Sequence, residues 1–96
     1  MYGTVAKFKA KPGTEKQIED LTKEYESLSI PGYVGEIIFK MNDNPNEFMM
    51  AVVFESKESY RKNADDPSQH ERFMKWRALL ESDPEWHDGE IVYKRM

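Results

Sequence analysis

A chain of 96 residues with 39% apolar and 33% charged residues has the size and mixture of one globular domain, residues 1–96, not of a disordered segment. Its formal net charge of −4 argues against nucleic acid or an anionic membrane as the main partner. The absence of cysteine excludes disulfides, thiolate nucleophiles and cysteine metal sites.

"YGTVAKFKA" alternates as a first strand, Tyr2–Ala10, with Tyr2, Thr4, Ala6 and Phe8 on one face. This strand-like start lacks the apolar block of a signal peptide, and no stretch reaches the ~18 apolar residues of a membrane span, so a cytoplasmic location is expected. "KPGT" ends the strand. Thr14 is placed to cap a helix running to about Leu28, with Gln17 completing a capping box and Ile18, Leu21, Tyr25 and Leu28 forming the apolar stripe. "SIPG" stops that helix. A second strand is expected at Tyr33–Met41 and a third at Glu47–Glu55, joined by the turn residues "NDNPN". Asn42, Asn44 and Asn46 imitate the start of a calcium loop, but Glu47 and Val53 stand where that loop needs glycine and glutamate. Ser56, with Ser59 three residues on, caps a short helix through "ADD". Pro67 restarts it and carries it to about Ser82. "DPEWHDG" reads as a loop and "EIVYKR", Glu90–Arg95, as the fourth strand.

The order β-α-β-β-α-β predicts an α+β, ferredoxin-like fold: a four-stranded antiparallel sheet with its helices on one face. The middle strands are apolar on both faces. Strand two offers Tyr33, Ile37, Phe39 and Met41 on one side and Val34 and Ile38 on the other. Strand three offers Phe48, Met50, Val52 and Phe54 against Met49, Ala51 and Val53. Two-sided apolar strands imply a sheet covered twice. No segment is left over to cover the second face, so a homodimer packed sheet to sheet, a dimeric α/β barrel, is expected.

The succession "KAKPGTEKQIEDL" and then "IPGYVGEIIFKMNDNPNEFMMAVVFESKESYRKNADDPSQHERF" resembles the antibiotic-biosynthesis-monooxygenase-like family of the dimeric α/β barrel superfamily, over nearly the whole chain. The resemblance implies a small hydrophobic or aromatic ligand held between sheet and helices. It also implies one of three roles. The first is cofactor-independent oxygenation of a phenol or quinol, with no metal or organic cofactor. The second is a non-catalytic, small-ligand-binding or stress-related barrel. The third is isomerisation of a small ring metabolite. Phe54 stands where the family often has Trp, and Asn63 where it often has His. The haem-degrading branch wants an Asn on strand one, a Trp where this chain has Asn63 and a His where it has Phe73, so haem chemistry is not expected.

Several residues are candidates for chemistry. His70, on the last helix, has the side chain suited to proton transfer near neutral pH and is the candidate base. A lone helix histidine is also an ordinary surface residue. Asn63 is placed to hydrogen-bond a substrate oxygen, or to end a helix before "DDP". Trp76, Tyr60 and Phe73 are candidate substrate-binding walls, although aromatic residues at helical spacing also make plain core. Glu36, a carboxylate in an apolar strand, is a second candidate for the cleft, or an ion-pair partner of Lys40 or of a lysine or arginine of a second copy. Trp86 and His87 form either a lid or a loop anchor. His70 and His87 fall on different elements with no ligand pattern between them, so no metal is expected.

Overall fold

The computed structural model describes every residue from Met1 to Met96. Strand β1 (Tyr2–Lys9) is followed by helix α1 (Glu15–Glu24), which tightens into a 3₁₀ turn at Tyr25–Ser27. Then come β2 (Tyr33–Lys40), β3 (Glu47–Phe54), α2 (Lys57–Ala64), α3 (Pro67–Arg77) and β4 (Glu85–Glu90). The strands form one antiparallel sheet in the order β2-β3-β1-β4, so the fold is the ferredoxin-like α+β arrangement.

One face of the sheet is the core. Ala6, Phe8 and Ala10 from β1 and its extension, Phe48 and Met50 from β3, Ile18 from α1 and Leu80 are all buried together. Phe8 stacks on Phe48 with ring centres 5.2 Å apart, and Trp76 meets Phe8 edge-on at 4.8 Å. Burying a side chain of this size contributes about 1.5–3 kcal/mol, so these contacts fix α3 on the sheet. Ser56 and Ser59 form the expected capping box at the start of α2. The Asp66 carboxylate caps α3 by accepting from the Ser68 N–H at 2.8 Å, with Pro67 in the first turn. Gly32 enters β2 with φ +79, and an added Cβ would meet the Ser59 Cβ at 2.4 Å. Only glycine satisfies both the turn and this close approach.

The structure corrects four expectations. First, Thr14 makes no side-chain cap. Its hydroxyl donates to the carbonyls of Lys11 at 2.7 Å and Leu79 at 3.2 Å, tying the start of α1 to the end of the α3 segment. Second, α3 ends at Arg77, not near Ser82, because Leu80 is drawn into a bridge with Ala10. Third, a register shift between Tyr33 and Gly35 moves Tyr33 away from the face of Ile37 and Phe39. Tyr33 instead stands opposite Phe54, on the helix side, with the rings 5.7 Å apart.

The fourth correction matters most. The fourth strand is Glu85–Glu90, not Glu90–Arg95. Pairing with β1 runs from Lys7↔Glu85 to Tyr2↔Glu90. The Ile91 N–H then donates to the Met1 carbonyl at 2.9 Å, and Val92, Tyr93 and Met96 stand in solvent. Register against β1 overrides the stronger strand propensity of "IVY", because ladder pairing and packing outweigh intrinsic preference.

The other face of the sheet carries no helix. Val5, Ile37 and Phe39 are 47%, 44% and 56% exposed there. By register, Met49, Ala51 and Val53 of β3 share that face, as does His87 opposite Val5.

Candidate functional site

The corrected position of β4 assembles the site. Along β4, Trp86 and Asp88 stand opposite Ala6 and Thr4, on the helix-covered face. Residues two apart on a strand lie roughly 7 Å from each other on the same side, so an indole and a carboxylate sit side by side on the helix side of this exposed edge strand. From α3, Phe73 and Trp76 reach Trp86, with ring centres 6.3 and 5.9 Å away. From α2, Tyr60 packs on Tyr2 at 5.3 Å and Phe54 at 5.6 Å, and its hydroxyl donates to Asp88 Oδ1 at 2.9 Å.

Thr4 completes the polar group. It is only 5% exposed, and its hydroxyl has no hydrogen-bond partner. It lies near enough to the Tyr60 oxygen to lower that phenol's pKa slightly, but not in bonding geometry. A buried hydroxyl without a partner costs about 1–3 kcal/mol, so Thr4 has a hydrogen bond to offer beside Tyr60 and Asp88.

Burial first, then the bond to Asp88 and its charge, push the Tyr60 phenol up to about 12. Tyr60 is therefore a neutral donor at physiological pH, not a base. Tyr33 is also pushed up to about 12, by burial first and then by the charge of Glu36 and the bond to it. Both shifts favour the protonated, folded form. Their contribution is complete below pH ~10 and is lost as pH rises through about 12. A phenolate absorbance titration should therefore show at least two of the five tyrosines still protonated at pH 11 in the folded protein, and one fewer in Tyr60→Phe. A single step near pH 10 for all tyrosines, with the fold intact, would refute this.

The other sequence candidates separate. Glu36 lies on the helix side of β2, opposite Val52, and accepts from the Tyr33 hydroxyl at 3.2 Å. It is not paired with Lys40, which bridges to Glu15 at 3.0 Å. Tyr33, Phe54 and Tyr60 form an aromatic row from Glu36 to Asp88. Burial raises the Glu36 pKa and the Tyr33 bond partly offsets that. The residue keeps an open outer surface, so the effect is partial. The charged form is penalised in the fold above the raised pKa, and the penalty vanishes below the ordinary 4.5. Glu36→Gln should therefore raise the melting temperature at pH 7 and leave it unchanged near pH 4. An equal gain at both pH values would rule out desolvation as the cause.

His70 stands exposed on α3. Asn63 is half-buried at the end of α2, in a groove with Ser59, Lys62 and Arg72 instead of among the site aromatics. Among the sequence candidates, Tyr60, Phe73 and Trp76 are thus brought together. Asp88 and Thr4 were not anticipated. The signal for Asp88 is its spacing of two from Trp86, legible only once "EWHDGE" is taken as a strand. No three His, Asp or Glu side chains converge as a metal-ligand set, and no helix is long and apolar enough to cross a membrane.

A four-stranded antiparallel sheet with its helices on one face defines the class of ferredoxin-like α+β domains. Within that class the sequence matches the model of the antibiotic biosynthesis monooxygenase family over residues 1–76, and the chain belongs to that family. A proposed antibiotic biosynthesis monooxygenase from Chloroflexus aurantiacus superposes with a TM-score of 0.80 at 25% identity, covering 99% of this chain and 96% of that one. A variant of SnoaB, a cofactor-independent oxygenase from Streptomyces nogalater, gives 0.82 at 16% identity, covering 97% and 94%. A conserved protein from Methanosarcina mazei gives 0.78 at 20%, covering 92% and 89%. Among curated proteins, none matches significantly.

Proposed function

We propose that this protein is a cofactor-independent monooxygenase that oxidises a small phenol or quinol in the cleft between the sheet and helices α2 and α3, working as a homodimer. The observation that carries the reading is the Tyr60–Asp88 bond at 2.9 Å beside the unpartnered Thr4 hydroxyl, next to the ring cluster of Phe73, Trp76 and Trp86. Family membership and the SnoaB-type fold support monooxygenation.

In this reading the substrate ring lies against Trp86 and Trp76, and its hydroxyl donates to the Asp88 oxygen not used by Tyr60. As the proton moves toward Asp88, the ring becomes electron-rich enough to reduce O₂. A ring carbon bonds to one oxygen atom, and the Thr4 hydroxyl, which has no partner in the fold, donates to the resulting peroxide while the Tyr60 O–H stays on Asp88. The O–O bond then breaks. One oxygen stays as the new carbonyl of a quinone, and the other leaves as water with the ring C–H proton and the phenol proton. Phenol plus O₂ gives quinone plus water, so the balance needs no outside reductant. The proton acceptor is assigned to Asp88 because its carboxylate is bonded to Tyr60 and stands opposite Thr4 on the sheet.

The test is oxygen uptake with a hydroquinone and naphthol panel, without added flavin or metal. The reading expects O₂ consumption matched by quinone formation. A second reading, a ligand-binding barrel without turnover, is favoured by Phe54 and Asn63 standing where the family often has Trp and His. Saturable binding of the same phenols with no O₂ uptake selects it. Turnover without mass change selects an isomerase.

A further inference from the structure

Away from the aromatic site, a groove of about 250 Å³ opens between the α1–β2 loop and the corner where α2 meets α3. Its charge balance is unusual for an acidic protein. Two arginines of this chain are half-buried, Arg72 and Arg77. Arg77 is paired with Asp83. Arg72 lines the groove and has no carboxylate partner among the ion pairs of the chain. Its guanidinium is instead held in place by Gln69, whose Oε1 accepts from Nε at 3.1 Å and from one terminal nitrogen at 2.9 Å. Its other N–H groups are left to point elsewhere. A cation partly withdrawn from water normally acquires an anionic partner, and here the chain supplies only a neutral amide.

The groove supplies more of the same chemistry. Lys62 stands at its edge as a second cation without an ion-pair partner. One acid, Asp66, also lines it, but Asp66 is committed to the Ser68 N–H at 2.8 Å. The balance inside the groove is therefore two cations to one carboxylate, in a chain whose overall formal charge is −4. The α1–β2 loop lines the groove with Leu28, Ser29, Ile30 and Pro31, and Leu28, Ile30 and Pro31 are its apolar part.

We propose that this groove binds a small carboxylate carrying a single apolar ring or a body of that size. The carboxylate would sit on Arg72 in the two-pronged geometry a guanidinium offers, with Lys62 beside it, and the body would lie against Ile30 and Pro31. The volume corresponds to about eight liquid waters, which is room enough for one ring with its carboxylate. The site is separate from the Tyr60–Asp88 cleft and does not depend on the activity proposed there.

Benzoate is the probe, titrated into the intact protein and followed by calorimetry and by NMR of the arginine Nε–H and asparagine amide signals. Saturable binding is expected in the region of about 1 mM, with shifts at Arg72 and Asn63. Arg72→Gln should weaken it at least tenfold and Lys62→Gln several-fold. The melting temperature of Lys62→Gln should be unchanged, since that residue is exposed. Arg72→Gln keeps its main-chain carbonyl, which accepts from the Tyr25 hydroxyl at 2.9 Å. Raised salt should weaken binding, because a partly exposed charge pair is screened. Benzamide, equal in shape but neutral, should bind at least tenfold more weakly. The proposal is overturned if benzamide binds as well as benzoate, if inorganic phosphate matches benzoate, if neither variant alters the affinity, or if no saturation is seen by about 20 mM, well above the millimolar scale expected.

Discussion

Val53→Lys abolishes the dimer expected of this protein. In light scattering the parent should give twice the 11.3 kDa chain mass at micromolar concentration, and the variant should give a monomer or fail to fold. Val53 lies on β3, inside the sheet order β2-β3-β1-β4, and by register it shares the helix-free face with Ile37 and Phe39. Those two are large apolar side chains with about half of their surface in water. A contiguous apolar face of this kind is the mark of an interaction surface, and a second copy covers it with no new sequence. In a two-fold interface each substitution acts twice. An unpaired lysine buried there costs about 3 kcal/mol per copy. Two copies cost about 6 kcal/mol, or roughly 10⁴-fold in the dimer dissociation constant. Met74→Lys, on the outer side of α3 and already exposed, is the control and should leave the mass unchanged. A parent protein that scatters as a clean monomer ends the argument.

Periodicity made most of the fold legible, because burial on one side of a sheet leaves a period of two in the sequence. Alternation alone groups Thr4, Ala6 and Phe8 on one face of the first strand and Phe48, Met50 and Phe54 on one face of the third, and these residues are buried. The Ser56–Ser59 capping box was equally plain, since its chemistry is local. What failed was non-local. The shift at Tyr33 and Gly35 moves one tyrosine across the sheet, and nothing within "PGYVG" signals it. Sequence pattern does not locate β4, because it is an edge strand of polar and aromatic residues, all of them exposed to some degree, and its Asp-Gly reads as turn chemistry. Its position depends on register with β1, which no short-range pattern encodes. The site inherits that limit. The aromatic walls Tyr60, Phe73 and Trp76 were visible on their helices, whereas Asp88 and Thr4 become neighbours only when β4 is laid against β1.

Asp88→Asn should cost the largest share of activity. The substitution keeps the size of the side chain and keeps an oxygen to accept from the Tyr60 hydroxyl, so the fold and the melting temperature should hold. What it removes is the negative charge that draws the substrate proton. Loss of a general base typically lowers the rate ~10²–10⁴-fold, and the loss should fall on kcat more than on KM, since the ring contacts with Trp76 and Trp86 are untouched. An independent readout comes from Tyr60. Its phenol is pushed up to about 12 partly by the bond to Asp88 and the charge of Asp88. Removing the charge should therefore bring its ionisation down, measurable by phenolate absorbance against a Tyr60→Phe control. A merely structural role for Asp88 would lower stability and activity together. Tyr60→Phe should lose less, about tenfold to a hundredfold, because the hydrogen bond that holds the Asp88 carboxylate in place is removed while the carboxylate remains. His70→Ala should retain both activity and stability, in keeping with its exposed position on α3. If instead His70→Ala is inactive and Asp88→Asn retains full turnover, the proton acceptor is the histidine and the assignment to Asp88 fails.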